Sequence, residues 1–235
     1  MIESKQNDQI KHIKKLSQKK YRDEHNEFVV FGEHLIEEAE KHGNVKIIYT
    51  TNNAKKGILI TKDLMNTLSQ TKTAYERLAI VEKVNKNINS NKVLILEDIQ
   101  DPSNVGALLR SASGFGFKKV ILSEKCADIY NDKAIRASQG AIFHLDIKRY
   151  ENIYDEIKAL KDAGYMMLAA DTEGNATQNY GNLVALILGN EGSGISDEAK
   201  LLADSTVSIK TETIESLNVA IAGSILMYEW SYRWK

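Results

Sequence analysis

Four short runs in the C-terminal two-thirds of the chain, VLILE (93–97), KKVILS (118–123), YMMLAAD (165–171) and LVALILG (183–189), are apolar at consecutive rather than alternate positions, and two more predicted strands, FHLDI (143–147) and STVSIK (205–210), accompany them. A strand with one wet face alternates apolar and polar residues. Strands like these must be covered on both faces, as in a parallel sheet flanked by helices. The stretches between them carry the helical period, from about Asn104, around 133–138, over 150–163 and from about Ser216, so the pattern predicts a doubly covered α/β domain.

Residues 1–91 alternate too, with shorter elements. EFVVFG (27–32), VKIIYTT (45–51), GILIT (57–61) and RLAIVE (77–82) are predicted strands, and 33–41 and 62–69 predicted helices. Together they form a small α/β sandwich. The stretch 82–92, EKVNKNINSNK, is poor in apolar residues and is the natural linker, which divides the chain into domains 1–91 and 92–235.

That division exposes what the average hides. The chain's net charge is -1, but residues 1–91 carry 16 basic and 12 acidic side chains, net +4, and residues 92–235 carry 15 and 20, net -5. Lys11, Lys14, Lys15, Lys19, Lys20 and Arg22 crowd the N-terminus, with Ile10, Ile13 and Leu16 at helical spacing. This predicts an amphipathic helix whose basic face suits either plain solvation or a polyanion. No run reaches the ~18–20 apolar residues of a membrane helix, and residues 1–20 lack the apolar stretch of a signal peptide, so a cytoplasmic protein is expected. The lone Cys126 reads as an inert packed thiol. His12, His25, His34, His42 and His144 show no metal-ligand spacing, and no metal is expected.

In an open parallel sheet, ligands gather outside the carboxyl ends of the strands. After VLILE comes Asp98-Ile99-Gln100-Asp101-Pro102-Ser103-Asn104, with the chain's only proline, opening a helix that carries Arg110. After LVALIL comes Gly189-Asn190-Glu191-Gly192-Ser193-Gly194-Ile195-Ser196, whose three glycines allow close approach of backbone to a ligand. It matches neither a phosphate-loop nor a dinucleotide fingerprint, which argues against a nicotinamide dehydrogenase. After STVSIK comes a loop ending in Glu215-Ser216-Leu217-Asn218, with Ser216 placed to cap the last helix.

Taken in order, DPSNVGALLRSASGFG (101–116), LGNEGSGIS (188–196) and ESLNVAIAGSILMYE (215–229) closely resemble the three signature motifs of the SpoU (TrmH) branch of the SPOUT family, the RNA ribose 2'-O-methyltransferases. IRASQGAIFHLDI (135–147) resembles that family's segment between the first two motifs, and the first part is similar to its substrate-binding domain. The resemblance implies a SPOUT-type parallel-sheet domain with a trefoil knot, preceded by a smaller RNA-binding α/β domain. It implies S-adenosylmethionine as cofactor, in contact with Leu188, Gly189, Gly194, Ile209 and Leu217. It assigns functional positions to Arg110, Asn104, Glu191, Ser216 and Asn218, with Glu191 holding Arg110 through an ion pair. A homodimer through the C-terminal domain is implied, with Ile221, Ile225, Met227 and Tyr228 as candidates for its core. Ribosomal RNA, the 23S species above all, is expected as substrate before transfer RNA. Where the family usually opens its third motif with Ile-Pro-Met, this chain has Ile209-Lys210-Thr211. That departure leaves open a non-catalytic RNA-binding or assembly protein on the same scaffold.

Overall fold

The computed structural model describes residues 1–69, 74–176 and 178–233, in two compact units. The first comprises Met1–Val84 and the segment Tyr130–Phe143; the second comprises Asn85–Ile129 and His144–Lys235. The segment Tyr130–Phe143, read from sequence as part of the C-terminal domain, therefore clusters with the N-terminal unit.

The first unit is built from α1 (Asp8–Lys15), α2 (Lys19–His25), β1 (Glu27–Phe31), α3 (Glu33–His42), β2 (Asn44–Thr50), β3 (Ile58–Leu59), α4 (Lys62–Leu68) and β4 (Arg77–Glu82). Its sheet runs β1-β4-β2-β3, antiparallel except between β2 and β3. Along β4, Leu78 and Ile80 join a core with Ile10 and Ile13 of α1 and Leu64 and Met65 of α4. Ala79 and Val81 are equally buried but point the opposite way, and α3, buried through Leu35, Ile36 and Ala39, packs on the same three long strands. From the returning segment, Tyr130 and Phe143 set their rings 4.7 and 6.1 Å from that of Phe28.

The single N-terminal helix expected from sequence is two. The break falls at Leu16–Gln18, and Arg22 closes it: its guanidinium donates to the carbonyls of Leu16 at 2.8 Å and Ser17 at 2.7 Å. Only 4% exposed, Arg22 is a brace and not part of the solvent-facing basic surface it was grouped with. A charged group can sit there because the orphan carbonyls ending α1 satisfy it.

The second unit holds β5 (Lys92–Leu96), α5 (Pro102–Phe115), β6 (Lys119–Ser123), β7 (Asp146–Tyr150), α7 (Ile153–Asp162), β8 (Met166–Ala176), β9 (Val184–Leu188), α8 (Asp197–Leu202), β10 (Ser205–Ser208) and α9 (Val219–Tyr228), with α6 (Asp132–Ser138) in the returning segment of the first unit. The six strands run β10-β8-β9-β5-β6-β7, every pair parallel. Val93, Ile95, Ala185 and Ile187 form one core with Ile153, Ile157 and Leu160 of α7. On the opposite face Leu188 reaches Gly223 of α9, where an added Cβ would come within 2.5 Å of it and 2.6 Å of Leu108 in α5. The consecutive apolar positions are thus buried from both sides. The chain runs outward from β5 through β6 to β7, then crosses to β8, comes inward to β9 beside β5 and leaves outward to β10, so the direction reverses between β5 and β9, the place where open parallel sheets bind ligands. No described helix is long and apolar enough to cross a membrane.

Candidate active site

Three strand ends converge beside this reversal. From β5 the chain enters a left-handed residue, Asp98 (φ 56°), and then Asp101, whose carboxylate caps α5 by accepting from Ser103 N at 2.7 Å. Pro102 follows at the first helical position, where its missing N–H costs nothing. From β9 the chain turns at Gly189. A Cβ there would lie 2.3 Å from the backbone of Gly194, because residues 190 and 194 pair N–H to C=O across the loop at 3.0 Å in both directions. Asn190 braces the loop, donating to Asp98 O at 2.8 Å and accepting from Gly192 N and Ser193 N.

The third loop leaves β10 at Ser208 and is closed by a bond from Thr211 Oγ1 to Ile214 O at 2.6 Å. It ends at Asn218, whose side-chain Oδ1 accepts from Ala220 N and Ile221 N. Asn218, not Ser216, is therefore the cap of α9, which begins at Val219. The substituted Lys210 is exposed and outside the lining of the cavity described next, while Ile209 and Thr211 line it.

The second and third loops, with the end of β8, line a cavity of about 610 Å³. Leu188, Gly189, Gly194, Ile209 and Leu217 all line it, as do Glu191, Ser216 and Asn218. Asn104 lies just outside and is tied in by hydrogen bonds. Its amide donates to Glu191 Oε1 at 3.0 Å, and its oxygen accepts from Asn218 Nδ2 at 3.1 Å. Burial pushes the Glu191 carboxyl up, but bonds from Asn104 and from the Gln100 and Asp101 N–H groups outweigh it and hold the group below the usual carboxylate range.

Arg110 stands apart, in contrast to the expected Glu191–Arg110 pair. It is exposed on α5, outside the cavity lining, and makes no ion pair or hydrogen bond among the described residues. Glu191 spends its oxygens on α5's first turn and on Asn104 instead. A charged pair in the cavity escaped the sequence reading: Asp171 on β8 and Lys200 on α8, paired at 2.6 Å. The Lys200 ammonium holds the Asp171 carboxyl below its usual range. Neither residue lies in a Gly-rich motif, and only α8 brings them together. Cys126 is buried, which pushes its thiol up, in keeping with inert packing.

In the first unit, Lys11, Lys15, Lys19 and Lys20 are exposed and Lys14 is half-buried. Lys11 and Lys19 pair with Asp8 and Asp23, and the ammonium groups of Lys15 and Lys20 lie 5.4 and 5.8 Å from the centre of the Tyr21 ring.

A wholly parallel sheet whose order reverses beside a cavity lined by two strand-end loops, with a third bonded to both, defines an α/β domain suited to a small ligand. Comparison with known proteins names the kind. Residues 91–228 match the SpoU rRNA Methylase family and residues 7–92 the MRM3-like substrate binding domain. The chain is 33% identical over 244 residues to the 23S rRNA (guanosine(2553)-2'-O)-methyltransferase RlmP of Bacillus subtilis, covering 97% of both chains. It is similar to the AdoMet-bound rRNA methyltransferase of Sinorhizobium meliloti, at TM-score 0.85, 25% identity and 97% and 96% coverage. It shares the fold of the SpoU methyltransferase AviRb of Streptomyces viridochromogenes, also solved with AdoMet, at TM-score 0.86, 24% identity and 97% and 98% coverage. The chain belongs to the SpoU family, and it is an S-adenosylmethionine-dependent RNA methyltransferase.

Proposed function

We propose that this protein methylates a ribose 2'-hydroxyl of 23S ribosomal RNA, with the cofactor in the cavity between the second and third loops and RNA held by the basic face of the first unit. The observation that carries this reading is the convergence of the second and third motif loops on one cavity, with the first tied to both through the Glu191–Asn104–Asn218 chain. The residues fit the cofactor. About 610 Å³ falls in the ~300–1,000 Å³ range of small-ligand sites. Leu188, Ile209 and Leu217 offer apolar walls to a purine, and the carboxylates of Asp171, Glu191 and Glu215 outnumber the Lys200 ammonium in the lining, a balance that favours a cation. When bound, S-adenosylmethionine supplies an electrophilic methyl group on its sulfonium.

The chain's own residues orient the nucleophile and stabilise its charge. A sugar hydroxyl attacks poorly unless its oxygen is aligned and its negative charge stabilised as the proton leaves. Arg110 has its donors free for that task, hydrogen-bonding the 2'-oxygen and a neighbouring phosphate. A guanidinium stays protonated, so the proton passes to phosphate or water and not to Arg110. Glu191 and Asn104 fix the first motif loop, and Asn218 fixes the start of α9. Lys11, Lys14, Lys15, Lys19 and Lys20 supply phosphate contacts that position RNA without reading its sequence. A homodimer through the second unit fits the exposed Ile221 and Tyr228 of α9, each about half exposed; Met227, fully buried within the chain, is not available to it.

Mapping 2'-O-methyl sites in total RNA from cells with and without the gene tests the reading. Loss of a site in 23S RNA, with transfer RNA unchanged, is the expected result. Loss confined to transfer RNA would move the substrate, and an unchanged map would overturn the proposal.

A further inference from the structure

Glu97 ends the VLILE run and is 5% exposed, a carboxylate where an apolar side chain would avoid any desolvation cost. Its oxygens are fully engaged. Oε1 accepts from Ser196 Oγ at 2.6 Å and from Tyr154 Oη of α7 at 2.9 Å, and Oε2 accepts from Ser196 N at 2.9 Å. Ser196 is the last residue of the Gly-rich loop and the cap of α8, accepting from Ala199 N at 3.1 Å. The loop's other end is held from the next residue of the same strand exit, where Asp98 O accepts from Asn190. Two consecutive residues leaving β5 therefore hold both ends of the loop that forms one wall of the cavity.

We propose that Glu97 is a positioning residue for cofactor binding: through Ser196 and Tyr154 it fixes the exit of the loop 189–196, and with it the start of α8 that carries Lys200 to the cavity. This rests on the reading of that cavity as the cofactor site. Charge-assisted bonds to two hydroxyls and one N–H are the strong kind; a carboxamide keeps an oxygen for the Ser196 N–H only by turning its NH₂ toward both hydroxyls, which reverses those bonds and removes the charge that strengthens all three. The cofactor then meets a loop that samples other conformations, and apparent affinity falls with the competent fraction.

Calorimetric titration of S-adenosylmethionine into the full-length protein tests this, with wild type, Glu97→Gln, Glu97→Asp and Tyr154→Phe compared. Glu97→Gln is expected to raise Kd about tenfold and KM for the cofactor alike, while kcat falls less than about threefold, and Glu97→Asp, which keeps two acceptors, to recover part of the loss. A Kd unchanged in a Glu97→Gln variant that unfolds in one cooperative transition overturns the role of Glu97 and leaves the cavity assignment standing. If Glu97→Gln does not fold, Tyr154→Phe decides: it removes one donor and leaves both bonds to Ser196, with a rise in Kd of about two- to fivefold expected, and no rise contradicting the proposal. Absence of binding by wild type overturns the cavity assignment, and this inference with it.

Discussion

Asn218 donates its side-chain Nδ2 to Asn104 Oδ1 at 3.1 Å while its own Oδ1 caps α9. One residue thus ends the third loop, starts the last helix and ties both to the first loop. Asn104 passes the link to Glu191 in the second. Both asparagines use donor and acceptor at once, so the carboxylate analogue of either breaks one half of its role.

Asn218→Asp separates these roles. The carboxylate still accepts from Ala220 N and Ile221 N, so urea unfolding should show stability within about 0.5 kcal/mol of wild type. The donor to Asn104 is lost, and methyl transfer should slow about tenfold or more. Asn218→Ala should lose the cap as well, at about 1 kcal/mol.

Gly189→Ala should be poorly tolerated, because the new Cβ would sit 2.3 Å from Gly194 backbone atoms that a two-way hydrogen-bond pair holds in place. Either the loop or β9 must shift. Cofactor Kd is expected to rise at least about tenfold with unfolding free energy lowered by about 1–3 kcal/mol, in titration calorimetry and urea unfolding.

Glu27 gives the first unit a pH signature. Burial raises its carboxyl, but bonds from Lys46 and His12, at 2.6 Å each, outweigh this and hold it below its ordinary value of 4.5. A carboxyl depressed on folding stabilises the fold above pH 4.5 and loses that contribution as pH falls through the lowered value. Glu27→Gln should therefore cost about 1–3 kcal/mol at neutral pH, with the gap to wild type closing below 4.5 in urea unfolding followed against pH.

The frame of the second unit was legible because burial on both faces leaves an unmistakable mark: Val93 to Leu96 and Val184 to Leu188 are buried at every position. Features set by distant partners were not. FHLDI reads as one strand, yet Ala141–Phe143 forms a 3₁₀ turn and β7 starts at Asp146, because Phe143 packs on Phe28, far back in sequence. β8 runs on past Asp171 to Ala176, its far end held by pairing of Asn175 and Ala176 with Val207 and Ser208 of β10 and not by its own composition. Asn218 and Ser216 are both good caps by residue type, and only the path of the third loop selects between them. Residue types at the cavity could be read from the motifs, but the choice of Asn104 over Arg110 as partner of Glu191 depends on where α5 begins relative to the second loop.

Salt should separate the two ligands. Phosphate contacts release counterions, so RNA affinity should fall steeply with ionic strength while cofactor affinity changes little. Replacing Lys15, Lys19 and Lys20 by Ala should flatten the salt dependence of RNA binding by roughly one counterion per lysine without lowering Tm. Arg22→Ala should do the reverse, lowering Tm by several degrees through the lost bonds to Leu16 and Ser17.

The most direct measurement is single-turnover methyl transfer to a 23S RNA transcript by wild type and Arg110→Ala at saturating cofactor. Arg110 is exposed and makes no ion pair or hydrogen bond among the described residues, so its removal should leave folding and cofactor binding intact. The transfer rate is expected to fall by about 10²–10³ or more, the scale of losing a donor that stabilises a developing oxyanion. A folded, cofactor-binding Arg110→Ala protein that methylates the transcript at the wild-type rate would contradict the assignment.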